Sequence, residues 1–331
     1  MSQVAVKNII ESIRDTMFEL MAEDERVILL GEDVGVHGGV MNASQGLYEA
    51  YGAQRVVDTP IAESSIVGIA IGAALGGLLP IAEIQFADFV HSAMDQIINE
   101  AAKIRYRSNN DYHCPIVVRL PYGGGITGGP YHSQNVEAIF FSTPGLKIVA
   151  PTTPADVKGL LRAAVYDPDP VLFLEHKLSY RLIKGEYPEG EFALPIGKAD
   201  VKRQGGDLTV VSYGMTMHYA LKAAEKLFVE EGIDAEVIDL CTLLPLDRET
   251  IVGSVKKTGK LLVVHEDNLT GGVGAEVAAT VADEAFMYLD APVKRLATAD
   301  VPSTPYSPAL EHAMLINEED VREAMLELAR Y

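Results

Sequence analysis

The chain has 331 residues, which is long enough for two domains that each bury a core of their own. Its shares of hydrophobic residues (48%) and charged residues (22%) are ordinary for a globular protein and exclude a disordered or fibrous chain. The formal net charge of -20 would repel nucleic acids and anionic membrane surfaces, so we expect any charged partner to be basic.

The beginning of the chain does not look like a targeting sequence. Acidic residues are spread through the first 26 positions, unlike the positive region of a secretory signal or an Arg-rich transit peptide. We therefore expect a cytoplasmic protein. The two cysteines, Cys114 and Cys241, are far apart in the sequence and have no CxxC or His-rich neighbourhood. This pattern argues against a zinc site or a disulfide framework.

Strands and helices alternate through the first half of the chain, after an amphipathic first helix. The predicted strands are 27–30, 81–86, 116–120, 147–150 and 171–175, and the predicted helices between them are 94–106 and 154–165. This alternation predicts a parallel sheet covered by helices, in one α/β domain over residues 1–183.

The segment 59–77, TPIAESSIVGIAIGAALGG, contains the first candidate site residue. The uncharged residues 64–82 approach the length of a membrane span, but glycines and a proline interrupt them, so we predict a buried helix, a turn and a buried strand. Thr59 is predicted to cap the helix, with Pro60 at its first position. Glu63 then lies near the start of an apolar helix, either as an acid favoured by the helix dipole or as a desolvated carboxylate with a chemical role.

Two further motifs follow that segment. The sequence EIQFADF, at 83–89, places Gln85 and Phe89 at the end of a predicted strand, where ligands bind parallel sheets, although an ordinary core Phe and a strand-end Gln are the alternative. The glycine-rich loop 123–130 precedes His132, but no Gly-Lys-Ser/Thr follows it, so it is a weak phosphate motif. By spacing alone, His132 is more typical of a surface or hydrogen-bonded histidine.

Residues 184–206 lose the periodicity and are rich in Gly, Pro and Glu, which predicts a linker. A second, smaller α/β domain is predicted over 207–331. Its predicted strands are 208–213, 235–240 and 261–265, and its predicted helices are 218–231, 248–257 and 274–285. The run His265-Glu266-Asp267 could suggest a metal site, but adjacent strand residues point in different directions, so we assign it no catalytic role.

Together these motifs resemble the beta subunits of the thiamine-diphosphate-dependent decarboxylases in 2-oxoacid dehydrogenase complexes. The resemblance spans essentially the whole chain. The motifs that carry it are GEDVGVHGGV at 31–40, the segment 59–77, EIQFADF at 83–89 and YHSQ at 131–134. It implies a pyrimidine-binding α/β domain with a parallel sheet, followed by a smaller α/β domain like the transketolase C-terminal domain. Residues 237–247 match the latter, although Cys241 stands where an arginine is common.

The resemblance also implies roles for individual residues. Glu63 would bond the N1′ ring nitrogen of the thiamine aminopyrimidine, which favours the imino tautomer that removes the thiazolium proton. Gln85 and Phe89 would lie beside the same ring, one as a polar contact and the other as an aromatic wall. His132 would line the substrate side, where an imidazole can donate a proton or bond an oxyanion during acyl transfer to lipoyl.

A structural potassium site is a further implication of the resemblance, with mainly backbone oxygens as ligands, as suits a hard cation. The residues concerned are Ile116, Ala164, Val165, Asp167 and Asp169. The sequence itself shows a strand residue and an Asp-Pro-Asp-Pro turn, for which an ordinary loop is the alternative.

The sequence lacks the Gly-Asp-Gly segment with which single-chain thiamine diphosphate enzymes hold magnesium and the pyrophosphate. The resemblance implies that an alpha subunit supplies this half of the site, and most of the magnesium ligands, in an alpha2beta2 heterotetramer. A basic subunit-binding domain of the lipoyl acyltransferase is the second expected partner.

The expected function is oxidative decarboxylation of a 2-oxoacid and acyl transfer to lipoyl, active only with the alpha subunit. The motifs QFADF, KIRYRSNN and YHSQ resemble the branched-chain enzymes most. The alternatives are a pyruvate or acetoin enzyme of the same family, and a non-catalytic α/β scaffold subunit. The presence of Glu63, Gln85 and His132 together argues against the scaffold.

Overall fold

A computed structural model describes residues 5–331, which form two compact units. The first unit extends to Tyr122 and resumes over Ser142–Ile196, and the second consists of Gly123–Phe141 and Gly197–Tyr331. Both units alternate strands and helices, so the predicted α/β class is confirmed. The domain bounds at 183 and 207 stay a prediction. In the described part of the chain, no helix has the length and apolar character needed to cross a membrane.

Among the described residues of the first unit, six parallel strands belong to one sheet. Across the sheet they are Lys147–Val149, Val171–His176, Val117–Tyr122, Leu79–Glu83, Val27–Gly31 and Val56–Asp58. Every residue of the four central strands is buried, as expected where helices cover both faces. The α-helices are Ile9–Glu23, Leu47–Tyr51, Glu63–Leu75, Ile104–Arg107, Pro154–Val165 and Ser179–Leu182. The strands Ala5–Asn8 and Lys184–Tyr187 form a separate antiparallel pair.

The helix that carries Glu63 begins later than predicted. Its first residue is Glu63 and its N-cap is Ala62, so the predicted cap at Thr59 and first turn at Pro60 are wrong. The backbone N–H of Thr59 donates to the Gly31 carbonyl at 2.9 Å, which keeps this residue in the extended chain that leaves the edge strand. The consequence is that Glu63 itself occupies the positive end of the helix.

The prediction of one regular helix over 94–106 is also wrong. It is a succession of a 3-10 turn ending at Ala93, a π-helical turn Gln96–Glu100, a 3-10 turn Ala101–Lys103 and the short α-helix Ile104–Arg107. An apolar pattern indicates which side of a helical segment is buried. It does not distinguish a 3-10, an α- and a π-helix, in which each backbone N–H bonds the carbonyl three, four or five residues earlier.

A buried ionic cluster lies among the central strands of the first unit. The Arg119 guanidinium is 0% exposed and donates to both oxygens of Glu175, at 2.6 and 2.8 Å, and to Glu83. Tyr180 donates its hydroxyl proton to Glu175 at 2.5 Å. Burial raises the pKa of Glu83, the charge of Arg119 opposes this effect, and the charge of Glu175 adds to it. One guanidinium therefore balances two buried carboxyl groups.

Five strands form the sheet of the second unit. In order they are Lys294–Thr298, Leu261–Asn268, Leu208–Ser212, Ala235–Asp239 and Asp200–Arg203, and only the last is antiparallel. The α-helices are Glu137–Phe141, Gly214–Glu231, Arg248–Thr258, Val273–Glu284, Pro308–Met314 and Glu318–Ala329, and a further strand is Thr242–Leu244. The predicted linker 184–206 thus includes the strand Asp200–Arg203. The last helix buries Val321, Met325 and Leu328 in the core.

Candidate active site

Glu63 presents a half-buried carboxylate at the start of its helix. Ala62 makes no side-chain cap, and the unpaired N–H groups of the first turn favour a negative charge there. The Ser92 hydroxyl lies 3.0 Å from Glu63 Oε2 and 3.1 Å from the Phe89 carbonyl oxygen, and its single proton serves one of them at a time. The other carboxylate oxygen, Oε1, has no hydrogen-bond donor among residues 5–331 and can accept one from a ligand.

Gln85 follows the buried strand Leu79–Glu83, and Phe89 lies in the 3-10 helix Ala87–Ala93 that comes next. The Gln85 amide approaches the Glu32 carbonyl oxygen at 3.5 Å, a weak contact that leaves the amide able to bond a ligand. Phe89 is 36% exposed and meets Phe86 edge to face, with 6.3 Å between ring centroids. Its ring is therefore both fixed and accessible, as an aromatic wall requires.

Glu32 is a member of this site that the sequence did not single out. Burial raises the pKa of the Glu32 carboxyl, and the charges of Asp33 and Glu63 raise it further. The contribution of Glu63 places its carboxylate in the neighbourhood of Glu32. The motif GEDVGVHGGV at 31–40, directly after the first predicted strand, is the signal that pointed to this region. Ser92, by contrast, had no sequence signal, because it lies outside every motif and every predicted helix or strand.

His132 belongs to the second unit, whereas Glu63, Gln85 and Phe89 belong to the first. It is half-buried and follows the 3-10 turn Gly129–Tyr131, and its backbone N–H donates to the Gly129 carbonyl at 3.4 Å. The amides of the preceding glycine-rich loop donate to buried carboxylates, first to Glu266 and then to Glu311. These amides are therefore already bonded within the protein and do not form an open phosphate site.

A polar cavity of about 430 Å³ opens within the second unit, beside Ser133, the residue that follows His132. Its lining includes Ser133, Gln134 and the carboxylates of Glu266 and Asp267. Burial raises the pKa of Asp267, and the charge of Glu266 acts in the same direction. The neighbouring His265 is 0% exposed, and burial lowers its pKa to about 4. His265, Glu266 and Asp267 contact different groups, since Glu266 bonds the Gly124 amide and Asp267 that of Ala138.

The predicted potassium ligands lie in the first unit, around the turn 164–169. Lys147 binds both oxygens of Asp167 at 2.6 Å, and Arg105 donates to Asp169 at 2.9 Å, so both carboxylates already have cationic partners. The carbonyl of Ile116 accepts the N–H of Val171 at 2.9 Å and keeps a second lone pair. The backbone oxygens fit a hard cation better than the side chains do, and the potassium site stays a prediction.

Comparison with known proteins extends this picture to nearly the whole chain. Residues 6–183 match the family model described as "Transketolase, pyrimidine binding domain", and residues 197–321 match "Transketolase, C-terminal domain". The 2-oxoisovalerate dehydrogenase subunit beta of Bacillus subtilis (strain 168) is 57% identical, with 99% of this chain and 100% of that protein aligned.

A second relative and one solved structure are also similar to this chain. The pyruvate dehydrogenase E1 component subunit beta of the same bacterium is 45% identical, over 97% of this chain and 98% of the relative. A solved structure described as "Split gene transketolase, inactive beta4 tetramer" matches with a TM-score of 0.76, at 24% identity over 98% of both chains. At that identity the structural likeness shows the shared fold alone.

Proposed function

Because the chain belongs to the family of beta subunits of thiamine-diphosphate-dependent 2-oxoacid dehydrogenases, we propose that it acts in the oxidative decarboxylation of branched-chain 2-oxoacids. The choice of substrate class is supported by sequence identity. The chain is 57% identical to a 2-oxoisovalerate dehydrogenase subunit but 45% identical to a pyruvate dehydrogenase subunit, over almost equal lengths. The acyl group is passed to a lipoyl group of an acyltransferase, and catalysis requires an alpha subunit.

Three side chains of the first unit fit one end of thiamine diphosphate. Glu63 offers a carboxylate oxygen to a protonated ring nitrogen, Gln85 offers an amide, and Phe89 offers an accessible ring for stacking. When bound, thiamine diphosphate accepts the electron pair that remains after carbon dioxide leaves the 2-oxoacid. Glu63 holds the proton at the ring nitrogen, and Phe89 restricts water on one face. The diphosphate and its magnesium are assigned to the alpha subunit.

A substrate screen tests the proposed function. The chain is co-purified with its native alpha subunit as a heterotetramer, saturated with thiamine diphosphate and magnesium, and assayed with 3-methyl-2-oxobutanoate, 4-methyl-2-oxopentanoate and pyruvate. We expect the two branched acids to give the higher kcat/KM. A preference for pyruvate would instead support the second candidate function, pyruvate dehydrogenation, which the 45% identity to a pyruvate enzyme favours. No turnover of any acid would support the scaffold.

His132→Ala should separate the two half-reactions. We expect acyl transfer to a lipoyl domain to fall about tenfold, since one lost hydrogen bond of roughly 1.5 kcal/mol corresponds to that factor. The affinity for thiamine diphosphate, measured by titration, should stay near the wild-type value. His113→Ala removes an exposed histidine and is the matched control. If cofactor affinity collapsed while acyl transfer per bound cofactor stayed normal, His132 would be a cofactor ligand.

The acidic last helix, Glu318–Ala329, is the proposed docking surface for the basic subunit-binding domain of the acyltransferase. Its outward acids are in part already paired, because Glu319 bonds Arg322 and Glu327 bonds Lys294. Glu323 is exposed. Attraction between an acidic surface and a basic partner accelerates their association, and salt weakens this attraction by screening the charges.

Raising the salt concentration should therefore weaken acyltransferase binding several-fold, and Glu323→Gln or Glu327→Gln, each of which removes one negative charge from this helix, should weaken it at low salt. Binding kinetics on an immobilised acyltransferase domain measure this effect, and Glu225→Gln, on another exposed helix face, is the control. Decarboxylation by the free heterotetramer should not change. An affinity that responds to neither salt nor these changes would place the docking surface elsewhere.

A further inference from the structure

The buried carboxylate of Glu311 binds the glycine-rich loop that leads to His132. Glu311 lies on the helix Pro308–Met314 and is 5% exposed. Its Oε1 accepts the N–H of Gly125 at 3.0 Å, and the N–H of Thr127 donates to Oε1 at 3.2 Å and to Oε2 at 3.1 Å. Within residues 5–331 the Glu311 side chain has no other hydrogen-bond partner and no cationic neighbour in salt-bridge range. Its bonding capacity is directed at this one loop.

The backbone of the loop is shaped for that contact. Gly123, Gly125 and Gly129 have φ of 85°, 83° and 65°, and Thr127 has φ of 60°. Alternation of left-handed and ordinary residues turns neighbouring N–H groups toward one side, where they form a concave anion site. A threonine with positive φ is strained, and such a conformation persists only when its surroundings hold it. Glu311, which bonds the Thr127 amide with both oxygens, supplies that restraint.

A second carboxylate and two close contacts fix the rest of the loop. Glu266 is 8% exposed and accepts the N–H of Gly124 at 2.6 Å. A Cβ at Gly128 would lie 2.6 Å from the His132 carbonyl oxygen, and a Cβ at Gly129 would lie 2.2 Å from the Tyr306 ring. The loop therefore has little free space at its far end, and its near end is held by charge-assisted hydrogen bonds.

We infer that Glu311 is a positioning residue for His132, through the amides of Gly125 and Thr127. This inference rests on the acyl-transfer role proposed for His132. Five glycines between positions 123 and 129 would give a free loop many backbone conformations, and the carboxylate selects the one from which the turn Gly129–Tyr131 and then His132 follow. When the Glu311 carboxylate is lost, the imidazole of His132 is still present but adopts a wider range of orientations. Acyl transfer, the step proposed for His132, therefore becomes slower.

Glu311→Gln in the assembled heterotetramer tests the inference. A glutamine places an N–H₂ group where one oxygen accepted the Thr127 amide, so the bonds to the loop cannot all form. We expect acyl transfer to a free lipoyl domain to fall three- to tenfold, with decarboxylation measured by an artificial electron acceptor and thiamine diphosphate affinity both near wild type. Hydrogen exchange of peptides covering residues 123–141 should become faster. Glu225→Gln is the matched control for loss of one carboxylate.

The double variant distinguishes positioning from a separate structural effect. If Glu311 acts through His132, the double variant Glu311→Gln, His132→Ala should be no slower in acyl transfer than His132→Ala alone. Effects that multiply, or a Glu311→Gln enzyme with normal acyl transfer while His132→Ala is impaired, would overturn the inference and leave the proposed function intact. Normal acyl transfer by His132→Ala itself would instead remove the role on which the inference rests. Should Glu311→Gln fail to assemble, Glu311→Asp carries the same test, because it keeps the charge but shortens the reach.

Discussion

Glu63→Gln should lower the rate of decarboxylation by at least about a hundredfold, the loss expected when an acid-base group is removed. The substitution keeps the size of the side chain and its possible contact with Ser92, which lies 3.0 Å from Glu63 Oε2. It removes the negative charge that the helix start favours, and with it the acceptor that holds a proton on the ring nitrogen. The measurement is single-turnover decarboxylation by the purified, cofactor-saturated heterotetramer.

The controls for this variant address assembly and charge. Gel filtration should show an intact heterotetramer, because Glu63 contributes no buried ion pair to the described chain. Glu49→Gln, an exposed glutamate on the helix Leu47–Tyr51 of the same unit, should leave turnover unchanged. Near-normal turnover by Glu63→Gln would remove Glu63 from the catalytic assignment, and the Gln85 and Phe89 contacts would then need another anchor.

Arg119→Met should destabilise the chain by about 3–5 kcal/mol, the cost typical of leaving buried charges without their partner. Arg119 is 0% exposed, and without it Glu83 and Glu175 would face each other with no cation between them. Tyr180 would remain as one neutral donor to Glu175. Urea unfolding of the isolated chain measures the free energy of unfolding, and the melting temperature of the heterotetramer should fall in parallel.

Two comparison variants show whether the cost is electrostatic. Glu83→Gln should be milder than Arg119→Met, because the pKa of Glu83 is already raised and the neutral form is favoured by burial. The triple variant Arg119→Met, Glu83→Gln, Glu175→Gln should be more stable than Arg119→Met alone, since it leaves no buried carboxylate without a cationic partner. If the combined variant were less stable than Arg119→Met, packing rather than charge would account for the loss.

The sequence predicted the fold well where patterns are continuous. The helix Pro154–Val165 was predicted with its observed bounds from its apolar pattern, and the structure shows Pro154 as its first residue and Thr153 as its capping residue. The buried strands were found within a few residues, since apolar runs are their direct signature. The irregular segment 87–107 was not predicted, because helical pitch depends on tertiary contacts that no local pattern records.

The sequence identified the candidate site residues but not the hydrogen bonds that they make. The motifs pointed to Glu63, Gln85, Phe89 and His132, and the roles of these residues stay predictions. Neither Ser92 beside Glu63 nor Glu311 under the glycine-rich loop could be found from sequence. Glu311 is separated from Thr127 by 184 positions, and an acid on a helix is usually solvated. Such pairs become visible only when the chain is folded.

The path of the chain between its two units limits how it can be recombined. Gly123–Phe141 belongs to the second unit, although the residues before and after it belong to the first. A chimaera made by joining homologues near residue 196 would inherit Glu266 and Glu311 from one parent and the loop that they bind from the other. We expect such hybrids to be functional only when the crossover is accompanied by transplanting residues 123–141, so this short stretch and the C-terminal half form one unit of inheritance.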